Sequence, residues 1–276
     1  MIKLRYNIAE IVFNVFILLF FSTVAHARSN HDMQDCSPII IEKVLQIINI
    51  KQEVHVSNDS QTYEEHAQVA KSACKTTPFN KKIIIATVAY GKNSDDKVFL
   101  IALINNKTHQ IVASYKGEII EDAGMDIETG GIWIDTAPYT LAKNSRAFGL
   151  EITSGYMPNC GDGGLNTAKT LYIQEGNRIR PILEHLDVSS WSYIQEGQSR
   201  CTGPDAPEET IIENFKTTIS VLKTQSHGYN DLLITTNSTR DDGKKSTRLP
   251  FHFKLSYDGK QYPLEKMGNA YWQWRP

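Results

Sequence analysis

The stretch KVFLIALINNKTHQIVASY, residues 97–115, carries the reading of the fold. Two apolar, β-branched runs (97–104 and 109–115) flank the polar turn Asn105-Asn106-Lys107-Thr108, the signature of a β-hairpin. Just before it, residues 83–90 (IIIATVAY) form a β-rich run ending at Gly91. Downstream, shorter β-type runs recur at 131–135, 147–153, 169–174, 179–185, 210–222, 230–236, 251–257 and 261–264. Clusters of Gly, Asn, Asp or Pro separate most of them. Gly176-Asn177 and the Asp258-Gly259 pair sit where further hairpin tips are expected. No strand–helix alternation occurs, which argues against a Rossmann or α/β-hydrolase architecture. Strands at this spacing fit a sandwich, a barrel or a partial propeller. The expectation is a mainly β body of antiparallel hairpins, a partial propeller or sandwich, over residues 81–276.

Upstream of residue 81 the pattern changes. Ser37 can cap a helix and Pro38 suits its first position. Ile40, Val44, Leu45 and Ile48 then recur at helical spacing to about Ile50. After a polar break at Ser57-Asn58-Asp59-Ser60, Thr62 and Glu65 have capping-box spacing. A second helix is expected to about Cys74, with Ala67, Ala70 and Ala73 near one face, and Pro78 ends the region. Residues 28–80 therefore read as an N-terminal α-helical hairpin.

Residues 1–27 read as a secretory signal peptide. Lys3 and Arg5 give a positive start, Ile11 to Val24 is almost wholly apolar, and Ala25-His26-Ala27 offers a cleavage site before Arg28. The apolar stretch is short for a bilayer span, which takes roughly 20 residues, so no stable membrane insertion is expected after cleavage. The address implied is an exported one, the periplasm of a bacterium.

That address changes the reading of the four cysteines, Cys36, Cys74, Cys160 and Cys201. An even count in an exported chain favours disulfides. Of the three pairings, Cys36–Cys74 and Cys160–Cys201 are preferred, because each brackets one segment. No CxxC and no His pair at ligand spacing is present, so neither a metal nor another cofactor is expected. A net charge of −2 with dispersed basic residues makes a poor nucleic-acid ligand. The densest basic cluster, Lys244-Lys245 with Arg248, lies beside Asp241-Asp242 and reads as a solvated turn.

The residues name no reaction. Ile134-Asp135-Thr136-Ala137 has the look of an aspartic-protease element, but that chemistry needs a second copy to share the proton. The simpler reading is a strand ending in a turn, with the Asp135 carboxylate bonding nearby backbone N–H groups. Cys160-Gly161-Asp162-Gly163-Gly164 is Gly-rich but lacks the Gly-Lys-Ser/Thr ending of a phosphate-binding loop. Ser226, His227 and Asp231 are triad residue types, yet neighbours in sequence rarely adopt triad geometry, and a structural turn is preferred. Trp272 and Trp274 alternate near the C-terminus beside Tyr271 and are the candidate ligand-binding aromatics. If they share one face of a strand, an exposed pair can stack on a sugar or anchor a protein.

Several segments together resemble a family of exported bacterial periplasmic proteins of uncharacterised activity. They are ALINNKTHQIVASYKGEI, IDTAPYTLAKNSRAFGLE, NCGDGGLNTAKTLYIQEGNRIRPIL, WSYIQEGQSRC and SHGYNDLLI. The last also resembles the start of FG-GAP-type propeller hairpins. The resemblance implies a periplasmic address and a β-hairpin body, and it carries over no catalytic residues. The function expected is a non-enzymatic binding protein for a protein or cell-wall component, an inhibitor or immunity-type protein being one form. The alternative is a hydrolase acting on cell wall or carbohydrate. That would need two of the carboxylates among Asp122, Glu128, Asp135 and Glu151 to meet in a cleft.

Overall fold

A computed structural model describes residues 33–49, 68–91, 96–120, 127, 130–153, 163–194 and 211–275. The stretch read as a signal peptide (residues 1–27), residues 50–67, Cys160 and Cys201, the first part of the Gly-rich loop, Asp122 and Glu128 lie outside the described residues. Residues Met33–Pro276 form one unit.

Among the described residues, twelve strands make one mixed sheet. They are β1 (Met33–Gln34), β2 (Gln68–Thr77), β3 (Asn80–Gly91), β4 (Asp96–Asn105), β5 (Ile111–Ile120) and β6 (Gly131–Ala142), followed by β7 (Ser145–Thr153), β8 (Gly163–Glu175), β9 (Arg178–Tyr193), β10 (Ile212–Ser226), β11 (Tyr229–Arg240) and β12 (Phe251–Leu255). The described residues also include two short α-helices, α1 (Pro38–Leu45) and α2 (Glu265–Trp274). The hairpin in residues 97–115 forms as read: β4 and β5 pair from Asp96↔Ile120 to Ile104↔Ile111. The Asn105 side chain closes its turn by accepting from the Lys107 and Thr108 N–H groups.

β9 is the junction of the sheet. It pairs with β8 along most of its length, with β10 from Ser189 to Tyr193, and with β5 in parallel at Ser114↔Arg178. The sheet is nearly closed into a barrel, and is neither a set of separate blades nor two stacked sheets. Side chains close it where a backbone ladder would otherwise run. Lys75 of β2 donates to the Ile134 carbonyl of β6 at 3.3 Å and lies over the Trp133 ring at 5.2 Å. Arg146 of β7 stacks on Phe79, in the turn after β2, at 4.2 Å. Further along the strand, β6 receives Asn230 of β11, whose side-chain amide donates to the Thr140 carbonyl at 2.9 Å.

The expected N-terminal helical hairpin is not present. Its first helix forms as α1, with a single 3₁₀ turn after it (Gln46–Ile48) and Asn49 in the left-handed region at φ 58°. Where the end of the second helix was expected, residues 68–77 are β2, paired with β3 from Gln68↔Gly91 to Thr77↔Asn80. The Ala70/Ala73 spacing fits a helix. The sheet edge offered by β3 pairs with this segment along most of its length, with register shifts at Val69/Lys71 and Thr76/Thr77, and the β-branched Thr76 and Thr77 favour it. The Cys36–Cys74 disulfide forms, and it ties the start of α1 to a strand, not to a second helix.

α1 explains why β3 and β4 read as near-continuous apolar runs. Ile85, Ala89, Phe99, Ile101 and Leu103 face one cluster with Ile134, Phe148, Leu150 and Tyr172. Ala86, Val88, Leu100, Ala102 and Ile104 face the other way, onto Ile40, Val44 and Leu45 of α1. A third cluster joins β6–β9 to β11, β12 and α2 through Leu171, Ile182, Ile234, Phe251, Tyr262 and Tyr271. The expected run at 261–264 is not a strand. It leads into α2, and its Tyr262 donates a backbone bond to the Ile182 carbonyl at 2.7 Å.

Candidate functional site

The antiparallel alternation brings the tight turns after β2, β4, β6, β8 and β10 to one end of the sheet. The turn after β10 uses His227 (φ 48°) and Gly228 (φ 81°), the paired positive-φ geometry that fits a two-residue hairpin. His227 donates through Nδ1 to the Tyr257 carbonyl at 2.9 Å. Asp231 is engaged elsewhere: its Oδ2 accepts from Lys254 at 2.8 Å and Thr224 at 2.7 Å. Ser226, His227 and Asp231 thus serve a hairpin, in line with the structural reading of that motif.

The densest polar chemistry lies on β6, β7 and β8, on the face shared with Leu171 and Tyr139. Lys169 of β8 is buried among two carboxylates and a phenol. Its Nζ donates to Asp135 Oδ2 at 2.6 Å, to Glu151 Oε1 at 3.0 Å and to the Tyr139 hydroxyl at 3.2 Å. Tyr139 in turn donates to Asp135 Oδ2 at 2.7 Å, and the Ala137 N–H donates to Oδ1 at 2.9 Å. A register shift in β6 between Asp135 and Tyr139 lets both side chains reach the same nitrogen. Gly149, the residue opposite Asp135, makes room: a Cβ there would sit 3.2 Å from the Asp135 Cβ, 3.3 Å from Leu171 and 3.5 Å from Lys169.

Electrostatics fix the resting state of this cluster. Burial pushes the Asp135 carboxyl up, but the Lys169 charge and the bonds from Lys169, Tyr139 and Ala137 outweigh it and hold it below the usual carboxylate range. Burial likewise pushes Lys169 down, and the surrounding Tyr139, Asp135 and Glu151 hold it above the usual lysine range. Burial raises Tyr139, so it stays a donor. The cluster rests as an ion pair plus a second carboxylate on one ammonium.

Sequence reading found Asp135 and its bond to a backbone N–H, but missed Lys169. The available signal was a Lys in the alternating row Lys169, Leu171, Ile173, whose other members are core. Asp135 and Glu151 do come together, yet on a shared ammonium. A glycosidase needs one of its two carboxyls kept protonated near neutral pH, which an ammonium between them opposes.

The C-terminal aromatics lie on α2, not on a strand, so Trp272 and Trp274 face different ways. Tyr271 is buried against Phe251, and Trp274 packs on Phe251 and Phe215 while donating to the Leu249 carbonyl at 2.9 Å. Trp272 is 63% exposed. It is held edge-on by Tyr271 at 5.7 Å and has the Arg275 guanidinium 5.5 Å from its ring. Arg275 is itself fixed, donating to Asp187 Oδ2 and to the Trp191 carbonyl, each at 3.1 Å.

The Cys36–Cys74 disulfide points to an oxidising, extracytoplasmic compartment. Among the described residues no helix is long and apolar enough to cross a membrane, and no group of His, Cys, Asp and Glu is arranged to hold a metal ion. Comparison with protein-family models, curated protein sequences and solved structures finds no match to this chain.

Proposed function

We propose that this chain is an exported, periplasmic, non-enzymatic binding protein that recognises a protein or cell-wall component, as the resemblance of its hairpin segments to exported bacterial proteins also suggests. The carrying observation is Trp272, an exposed indole flanked by two anchored side chains. Its neighbours Tyr271 and Arg275 are anchored in the body of the protein, so the ring is presented with little ordering entropy left to lose on binding. Large amphipathic aromatics held in this way are the residues that most often dominate a recognition surface.

The test is a paired retention experiment. Immobilised wild type and Trp272→Ala are exposed at physiological salt to periplasmic extract and, separately, to soluble peptidoglycan fragments. Retention of a defined species by wild type, reduced at least tenfold in the variant, supports the reading. No retention from either source by wild type, or equal retention by both chains, overturns it.

A further inference from the structure

We propose that Lys169 and Asp135 join through an intramolecular amide bond, formed autocatalytically with Glu151 as the proton carrier. The amine nitrogen, the carboxyl and a second carboxylate are already in contact, at 2.6 Å to Asp135 Oδ2 and 3.0 Å to Glu151 Oε1. They come from three adjacent strands whose pairing fixes their positions: Asp135 lies opposite Gly149 of β7, and Glu151 of β7 lies opposite Lys169 of β8. Held this way, the amine and the acid are intramolecular partners, and effective concentrations for well-oriented pairs reach about 10⁵–10⁸ M.

The steps balance without any outside reagent. The Lys169 ammonium passes one proton to Asp135 Oδ2 along their hydrogen bond, giving a neutral amine and a neutral acid. Burial works toward this neutral pair, against the charge attraction and hydrogen bonds that hold the resting ion pair, so the neutral pair is a minor state from which the amide forms irreversibly as water leaves. Nζ then attacks the Asp135 carboxyl carbon. The charge that develops on Oδ1 is met by the Ala137 N–H, already 2.9 Å away, in the manner of an oxyanion site. Glu151 takes a proton from the nitrogen as the C–N bond forms and gives it to Oδ2, which leaves as water. The Tyr139 hydroxyl donates to Oδ2 throughout. One C–N bond forms, one C–O bond breaks, one water is released, and Glu151 ends as it began. Asp135 keeps 17% of its side chain exposed, which gives the water an exit.

The bond would fasten β6 to β8 across β7. That is the place for it: β6 borders the part of the sheet closed by side chains and not by a ladder.

Mass spectrometry decides the matter. The purified, reduced chain is measured intact and then digested. The expected result is a wild-type mass one water below that calculated for the linear, reduced chain, with a branched peptide joining Asp135 to Lys169. A full-mass wild type overturns the proposal, as does a water-light chain whose Asp135 and Lys169 peptides are all linear. Lys169→Arg is expected at full mass. Glu151→Gln is also expected at full mass, with wild-type far-UV circular dichroism. A Glu151→Gln chain that forms the branched peptide as completely as wild type overturns the role given to Glu151.

Discussion

Lys169 shows what a single buried charge does to this protein. Before any amide forms it neutralises one carboxylate and bonds a second, so deleting it strands both in the core. Lys169→Met is expected to destabilise the fold by about 3–5 kcal/mol, the range for breaking a buried charge network from one side, as read from urea unfolding. Asp231 gives a separate acid-side signature. Burial pushes its carboxyl up, yet the bonds from Lys254, Thr224 and Ser226 hold it at about 2. The folded value thus lies below that of an unfolded Asp, roughly 3.9. Its contribution is therefore fully present above that unfolded value and fades as pH falls toward 2. Asp231→Asn is expected to flatten the loss of stability between pH 4 and 2, measured by urea midpoints across that window; an unchanged acid limb would refute it. At this scale the sequence was partly legible. The bond from a backbone N–H to Asp135 was legible, but the turn expected at Pro138 is absent, because β6 runs on through a register shift to Ala142; Ser226-His227-Gly228 betrayed its turn. Lys169 was silent because its partners lie 34 and 18 residues upstream, joined to it only by strand pairing.

At the scale of elements, α1 with its disulfide and α2 do comparable work on different faces. α1 covers the outer face of β3 and β4 and is tied to β2 by Cys36–Cys74. In the chain-entropy account a loop of this size stabilises by about 3–4 kcal/mol. Cys36→Ser is expected to lose that much in oxidising buffer and to match reduced wild type. Equal stability of variant and wild type in oxidising buffer would show the tie to be idle. In α2, Trp274→Ala is expected to cost about 2 kcal/mol, below the usual cost of a fully buried Trp because the ring is only half-buried. Trp272→Ala should leave the thermal midpoint near that of wild type. α1 was readable because Pro38 and the apolar 3.6-residue period coincide. β2 was not, because its Ala spacing fits a helix and only the edge of β3 settles it. α2 was misread for the converse reason: Trp272 and Trp274 alternate like strand residues, but a helix from Glu265 puts Tyr271 and Trp274 against Phe251.

For the whole molecule, the telling feature is that, among the described residues, β6 meets β2 and β11 through side chains and not through a ladder. Beside β2 these include Lys75 on the Trp133 ring and the Ile134 carbonyl, with Arg146 of the neighbouring β7 on Phe79. Such contacts are worth roughly 0.5–1 kcal/mol each when partly exposed, less than a run of ladder bonds. Lys75→Ala is expected to raise hydrogen exchange in β6 at least severalfold while leaving β3–β4 protected. Uniform exchange across both would mean that the closure is no weaker than the ladders. The sequence by itself determined the β class, most of the hairpins and their tips, and one disulfide. Each of these is written in local spacing, turn chemistry and compartment. Only the tertiary structure decided that the hairpins join into one nearly closed sheet, that β9 is its junction, and that Lys169, Asp135, Tyr139 and Glu151 share one buried site. Those outcomes depend on which strand edges meet, and pairing between distant strands leaves no mark in the order of residues along either one.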